Sequence, residues 1–199
     1  RVFAAARDEE PVSKNAGDVS VLAPGTLFHG AYEIVRCIKS GGMGAVYEVL
    51  QTTTQRRRAL KVMLPGLVAD PEMRARFKLE ATVAANIDSE HIVETLDAGV
   101  DESTGMPFIV MELLKGEELG KMVRERGRLS KGDVVKLFYQ AALALDKTHA
   151  AGIVHRDLKP ENLFVTKRDD GSLRLKILDF GVAKIVAETT VPANATRSV

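Results

Sequence analysis

Apolar and polar positions alternate with a period of two in three stretches between Tyr32 and Met63: "YEIVRCI", "AVYEVL" and "RALKVML". Each is bounded by turn-forming residues, so the pattern predicts three short strands. The period then changes. "DPEMRARFKLEATVAANI" opens on Asp-Pro and carries Met73, Phe77, Ala81 and Ala84 at helical spacing, which predicts a helix. Two more strands, "HIVETLDAGV" and "PFIVMELL", flank a hairpin around "DESTG". After "KGEEL" the spacing is helical again, with Val134, Leu137, Phe138, Ala141 and Leu145 on one face of a helix starting near Ser130. Finally, "GIVHRDLKPENLFV" and "LRLKILDFG" bracket the polar turn "TKRDDGS". Residues 1–27 show no sustained period and read as a tail or linker. Strands with one helix, then a helix with short strands, predict an α+β chain in two lobes without internal repeats.

Composition narrows the function classes. An apolar fraction of 45% in 199 residues is ample for a core. With 28 basic against 27 acidic residues, net charge gives no argument for nucleic acid or a membrane as partner. The one dense basic cluster, Arg56 to Arg58, reads as a solvated turn before a strand. A single cysteine, Cys37, rules out an internal disulfide and, in its apolar run, reads as a packing residue; it fits a reducing, cytoplasmic compartment. No apolar run approaches the roughly 18 residues that span a bilayer. A chain beginning with Arg is expected to be an excised or processed piece, and a membrane-anchored parent with this segment in the cytosol stays open.

Candidate chemistry begins at "IKSGGMGAVYEV". Gly41, Gly42 and Gly44 lie between two predicted strands, where backbone N–H groups can approach a polyphosphate closely. A plain hairpin turn is the alternative, and the absence of Gly-Lys-Ser/Thr excludes a Walker loop. In "RALKVML" the alternation puts Lys61 on one face with Ala59 and Met63, against Leu60 and Val62 on the other. A lysine inside an apolar strand needs an anion, unless it snorkels from an edge. Glu80 sits in the apolar stripe of the next helix, three residues after Phe77. It either pairs locally with Arg76 or meets Lys61, and two charges on dry faces are most simply explained by pairing with each other.

"HRDLKPEN" packs an imidazole, a guanidinium, two carboxylates, an ammonium and a carboxamide between two apolar runs. In it Asp157 can accept a hydroxyl proton, Lys159 can neutralise a phosphoryl charge, and Asn162 can ligate a hard cation. Asp179 of the DFG triplet adds a carboxylate for the same metal. From Phe28 to Val199 the chain resembles the protein kinases, and most of all bacterial eukaryotic-like Ser/Thr kinases with similar "SGGMGAVY" loops.

That resemblance implies a bilobal kinase fold: residues 28–114 as a lobe with an antiparallel five-stranded sheet, one regulatory helix and a hinge, and residues 115–199 as a mainly helical partial lobe. It implies ATP-dependent phosphorylation of Ser or Thr in a protein substrate, with Mg2+ as cofactor and Mn2+ as an alternative. Lys61 would hold the α- and β-phosphates and pair with Glu80, Asn162 and Asp179 would hold the metal, and Asp157 would orient the hydroxyl beside Lys159. Met111 would be the gatekeeper, Glu112 to Leu114 the hinge on adenine, and Ile38, Val46, Ala59 and Phe164 the walls around the base. Glu118 would take the ribose hydroxyls or stand as a solvated helix-start glutamate. His155 and Phe180 would pack rather than do chemistry.

Lys39 departs from the family pattern, standing where a further glycine is usual, and the "TKRDDGS" turn is slightly long. The chain is expected to stop within the activation loop, leaving the apolar face of the "VVKLFYQAALAL" helix partly exposed and favouring self-association. Arg156 would receive a phosphate placed on Thr189, Thr190, Thr196 or Ser198, with Thr190 and Thr196 preferred. Two rivals remain: a nucleotide-binding pseudokinase or scaffold, and a small-molecule kinase of related fold.

Overall fold

A computed structural model of the chain describes residues 22–42 and 44–180, together with the backbone of residues 184–185. The first half builds β1 (Leu27–Phe28), β2 (Tyr32–Gly41), β3 (Gly44–Gln51), β4 (Arg56–Met63), α1 (Pro71–Asn86), β5 (Thr95–Val100) and β6 (Pro107–Glu112). Its strands form one six-stranded sheet in the order β1-β2-β3-β4-β6-β5, antiparallel throughout. Five strands were expected. The sixth is β1, too short to show a period, and it folds back on β2 through a tight turn in which His29 and Gly30 both have positive φ. Residues 22–27, within the stretch read as a tail, join the fold: Leu22 is buried and its N–H donates to the Tyr47 hydroxyl at 3.2 Å.

Strand alternation divides this sheet into two dry faces. Tyr47, Val49, Leu60, Val62, Phe108 and Val110 pack one side, with Phe28 edge-on to Phe108 at 5.5 Å. Ala59, Met63, Ile109 and Met111 face the other side and meet Phe77 of α1. Helix α1 starts where the Asp70 carboxylate accepts the N–H groups of Glu72 and Met73 at 2.8 and 3.2 Å, with Pro71 supplying a preset φ in the first turn. The side chain of Ala84, expected on its apolar face, lies outside the described residues.

The second half runs β7 (Gly116–Glu118), α2 (Leu119–Arg126), α3 (Lys131–Ala150), β8 (Ile153–Val154), β9 (Leu163–Lys167), β10 (Leu173–Ile177) and β11 (Lys184–Ile185). Strands β10, β9 and β7 form a three-stranded sheet, and β8 pairs with β11. Strand β7 had no sequence signal beyond Gly116, where a Cβ would meet the Val165 carbonyl oxygen at 2.1 Å. The Ser130 hydroxyl caps α3 by accepting the Asp133 N–H at 3.0 Å.

The rotation of α3 differs from the expected single apolar face. Leu137, Ala141 and Ala144 are buried, whereas Val134 and Phe138 are 37% and 68% exposed. Gln140 sets this rotation. Its Nε2 donates to the Leu173 carbonyl at 3.1 Å and its Oε1 accepts the Leu175 N–H at 2.7 Å, so the buried face follows 137, 140, 141 and 144. Val135, Phe138 and Tyr139 consequently form an exposed apolar stripe among the described residues. The two halves are stitched where the Val93 N–H donates to the Ile177 carbonyl at 3.0 Å and the Ile177 N–H to the His91 carbonyl at 2.9 Å.

Candidate active site

The stitched seam leaves a cleft of about 390 Å3 between the six-stranded sheet and the β7-β9-β10 sheet. Ile38, Val46 and Ala59 line it from β2, β3 and β4, and Phe164 and Leu178 from the opposite sheet and its exit. Met111, Glu112, Leu113 and Leu114, at the end of β6 and beyond it, form one edge. All of these except Leu178 were expected there. Leu178, with Met63, Phe77 and Val93, carries no sequence signal for the cleft other than its place in an apolar run.

Gly41 and Gly44 also line the cleft, and Gly42 does not. The two lining glycines differ in cause. A Cβ at Gly44 would lie 2.2 Å from the Val62 carbonyl oxygen, so β3 can approach β4 there only without a side chain. At Gly41 and Gly42 a Cβ would meet nothing within 4 Å, so the fold itself does not require either glycine.

Lys61 lies in the cleft wall with its Nζ 2.6 Å from both Glu80 oxygens and 3.8 Å from Asp179 Oδ1. Arg76, the local alternative, pairs with Glu72 at 2.5 Å instead. Burial pushes the Glu80 carboxyl above its ordinary value, and the Lys61 ammonium works against that rise.

The "HRDLKPEN" segment adjoins this wall. Asp157 and Lys159 lie outside the cleft lining, and Asn162 and Asp179 within it. Lys159 Nζ donates to Asp157 Oδ2 at 2.7 Å, and this bond holds the Asp157 carboxyl below the usual carboxylate range while raising Lys159. Asn162 Nδ2 donates to the Asp157 carbonyl at 2.8 Å and to its Oδ2 at 3.2 Å. Both amide hydrogens are thereby committed to Asp157, and the carboxamide oxygen is turned away from it. The Leu178 N–H donates to the Asn162 carbonyl at 3.0 Å, bringing together the turn before β9 that carries Asn162 and the segment after β10 that carries Asp179. His155 packs its ring 4.8 Å from Phe180, and burial keeps its imidazole below its ordinary pKa. Arg156 has a positive φ of 64°. The threonines and serine from 189 to 198 lie outside the described residues.

Two contacts were not anticipated. Lys39 reaches across the cleft mouth to Glu118 Oε1 at 2.8 Å, so the lysine at the departing glycine position meets the residue offered for ribose. Lys176, buried in β10, donates to the Glu112 carboxylate. The signal for Lys176 was present in "LRLKIL", a lysine amid apolar strand residues just as at Lys61.

A hairpin with unobstructed glycines over a lysine–glutamate pair, facing hard oxygen donors, is an arrangement chemically suited to a polyphosphate and its metal ion. The chain belongs to the protein kinase family: the family's protein kinase domain matches residues 32–198. It is 38% identical over 165 residues to the serine/threonine-protein kinase PknA of Mycobacterium tuberculosis, covering 81% of this chain and 37% of that one. It is 36% identical over 167 residues to the serine/threonine-protein kinase pkn3 of Myxococcus xanthus, covering 84% and 30% respectively. The solved kinase domain of Mycobacterium tuberculosis PknI superposes with a TM-score of 0.68 at 35% identity, over 82% of this chain and 64% of that one. The chain thus spans well under half the length of these curated relatives. Among the described residues, no helix is long and apolar enough to cross a membrane.

Proposed function

We propose that this chain supplies the nucleotide-binding and phosphoryl-transfer residues of an ATP-dependent Ser/Thr protein kinase. The observation that carries the reading is the Lys61 ammonium, held 2.6 Å from both Glu80 oxygens and 3.8 Å from Asp179 beneath a glycine hairpin. Residues 28–114 act as the glycine-hairpin lobe and hinge, and residues 115–199 as part of the catalytic lobe. Adenine lies between Val46 and Ala59 on one side and Phe164 on the other, with its edge on the hinge from Glu112 to Leu114. Gly41 and Gly42, open on their Cβ side, leave room for phosphate oxygens. Lys61 binds the α- and β-phosphates.

The Asn162 carboxamide oxygen and the Asp179 carboxylate are a hard-oxygen pair that fits Mg2+ or Mn2+ completed by phosphate oxygens and water. Such an ion, when bound, neutralises charge on the transferring phosphoryl group. Asp157, kept ionised by Lys159, accepts the proton of the substrate Ser or Thr hydroxyl as that oxygen bonds to the γ-phosphorus. The bond from the γ-phosphorus to the β–γ bridging oxygen breaks, and ADP departs. Lys159 faces the transferring group with its positive charge.

Calorimetry of Mg·ATP binding, paired with phosphate transfer to a protein substrate by the full-length protein, tests the reading. Asp157→Asn is expected to keep binding and lose transfer, and Lys61→Met to weaken binding. Binding unaffected by Lys61→Met, or transfer surviving Asp157→Asn, refutes it. Mg·ATP binding with no transfer by the unaltered full-length protein would leave the pseudokinase reading instead.

A further inference from the structure

Lys176 is only 7% exposed and lies in β10 between Leu175 and Ile177, both buried. Its Nζ donates to the Ile92 carbonyl at 3.2 Å and to Glu112 Oε1. That same oxygen accepts the Glu94 N–H at 2.9 Å, and the Glu112 N–H donates to the Glu94 carbonyl at 3.1 Å. Glu112 is therefore gripped by both backbone and side chain at the point where β6 ends and the cleft edge begins. Lys176 also lines a second cavity of about 500 Å3 behind that edge, whereas Glu112 lines the nucleotide cleft, so the pair forms the wall between the two.

Stability alone is a weak reason for such a pair. Apolar residues of similar volume replace a buried ion pair with little loss, often with a gain. A hydrogen-bonded ion pair is directional where apolar packing is not, and in some proteins such a pair selects one orientation of the segments it joins. The segments joined here are the cleft edge and the strand that continues through Leu178 to Asp179. Lys176 lies opposite Phe164 in the β9–β10 register, so the two side chains leave the same face of that sheet, Phe164 lining the cleft and Lys176 bonding to Glu112 at its edge.

We propose that Lys176 is a positioning residue for the adenine edge of the nucleotide: its ammonium, through Glu112, sets the hinge backbone against the base. The inference rests on the nucleotide-binding reading above. It predicts a loss carried by the nucleoside and independent of the phosphates.

The test is calorimetric titration of the chain with adenosine and, separately, with Mg·ATP. Lys176→Met is expected to weaken both by a similar factor, about tenfold. Glu112→Gln keeps the side-chain shape and weakens adenosine by about threefold, and the double variant loses no more than Lys176→Met alone. An unaltered chain that binds neither ligand refutes the kinase reading and this inference with it. If the unaltered chain binds, three results overturn the inference alone: unchanged adenosine affinity in Lys176→Met, a loss confined to Mg·ATP, or additive losses in the double variant. Should Lys176→Met fail to fold, Glu112→Gln decides, and unchanged adenosine affinity there overturns the inference.

Discussion

Replacing Lys61 with Met separates what the Lys61–Glu80 pair does for stability from what it does for ligand binding. The Glu80 side chain is 6% exposed and that of Lys61 16%, so removing the ammonium leaves a carboxylate almost without water. Breaking a buried pair costs about 3–5 kcal/mol, and the opening of Lys61 onto the cleft, where water can enter, places this one at about 2–3 kcal/mol. At about 2–4 °C per kcal/mol for a chain of this size, thermal unfolding should move down by about 5–10 °C. The pH dependence has a definite sign. Glu80 already has a raised carboxyl in the folded chain, and losing Lys61 raises it further, so the folded variant holds its proton where the unfolded chain has released it. That contribution is complete below the unfolded pKa and disappears as pH rises through the folded one. Thermal denaturation should therefore show a large deficit at about pH 8 and a smaller one at about pH 5. Lys61→Met combined with Glu80→Leu removes the orphaned charge and should recover most of the stability, while Mg·ATP binding stays weak. A deficit equal at both pH values, or larger in acid, would refute the argument that Glu80 is the cause.

Lys159→Met should move the acid limb of phosphate transfer to higher pH, because Lys159 is what keeps Asp157 ionised in acid; an unmoved limb in the pH–rate profile counts against it. Lys39→Met should speed nucleotide release in stopped flow by no more than about fivefold, since the Lys39–Glu118 pair is largely exposed, and the difference should fade in high salt. Asp70→Ala removes the cap of α1 and should cost about 1 kcal/mol in urea denaturation; an unchanged midpoint would show that the first turn does not need it.

The strands were legible as short runs bounded by turn-forming residues, and the two-residue period then divided Ala59 and Met63 from Leu60 and Val62 between the two dry faces. The "HRDLKPEN" segment was legible as a candidate because eight residues hold polar groups that a connector has no need of. What stayed hidden depends on partners distant in sequence. Strand β1 exists through its pairing with β2 and not through a period of its own. The rotation of α3 is set by Gln140 bonding to β10, 33 and 35 residues away, and a helical wheel cannot show that. Lys39 and Glu118 lie 79 positions apart, and only the folded cleft brings them together.

Lys61 and Lys176 raise the same question, a lysine in an apolar strand, and the fold answers it in two ways. Lys61 meets a carboxylate but keeps a second anion, Asp179, at 3.8 Å across a cleft that opens to solvent. Under the proposed function a phosphate oxygen joins that pairing from the cleft side. Lys176 meets Glu112 and the Ile92 carbonyl and does not itself line the cleft. Under the proposed role its charge acts on a nucleotide through Glu112, the cleft-lining residue it holds. A buried lysine in a strand therefore predicts an anion, and whether a second, bound anion can join it depends on whether the ammonium opens onto the cleft, as that of Lys61 does and that of Lys176 does not.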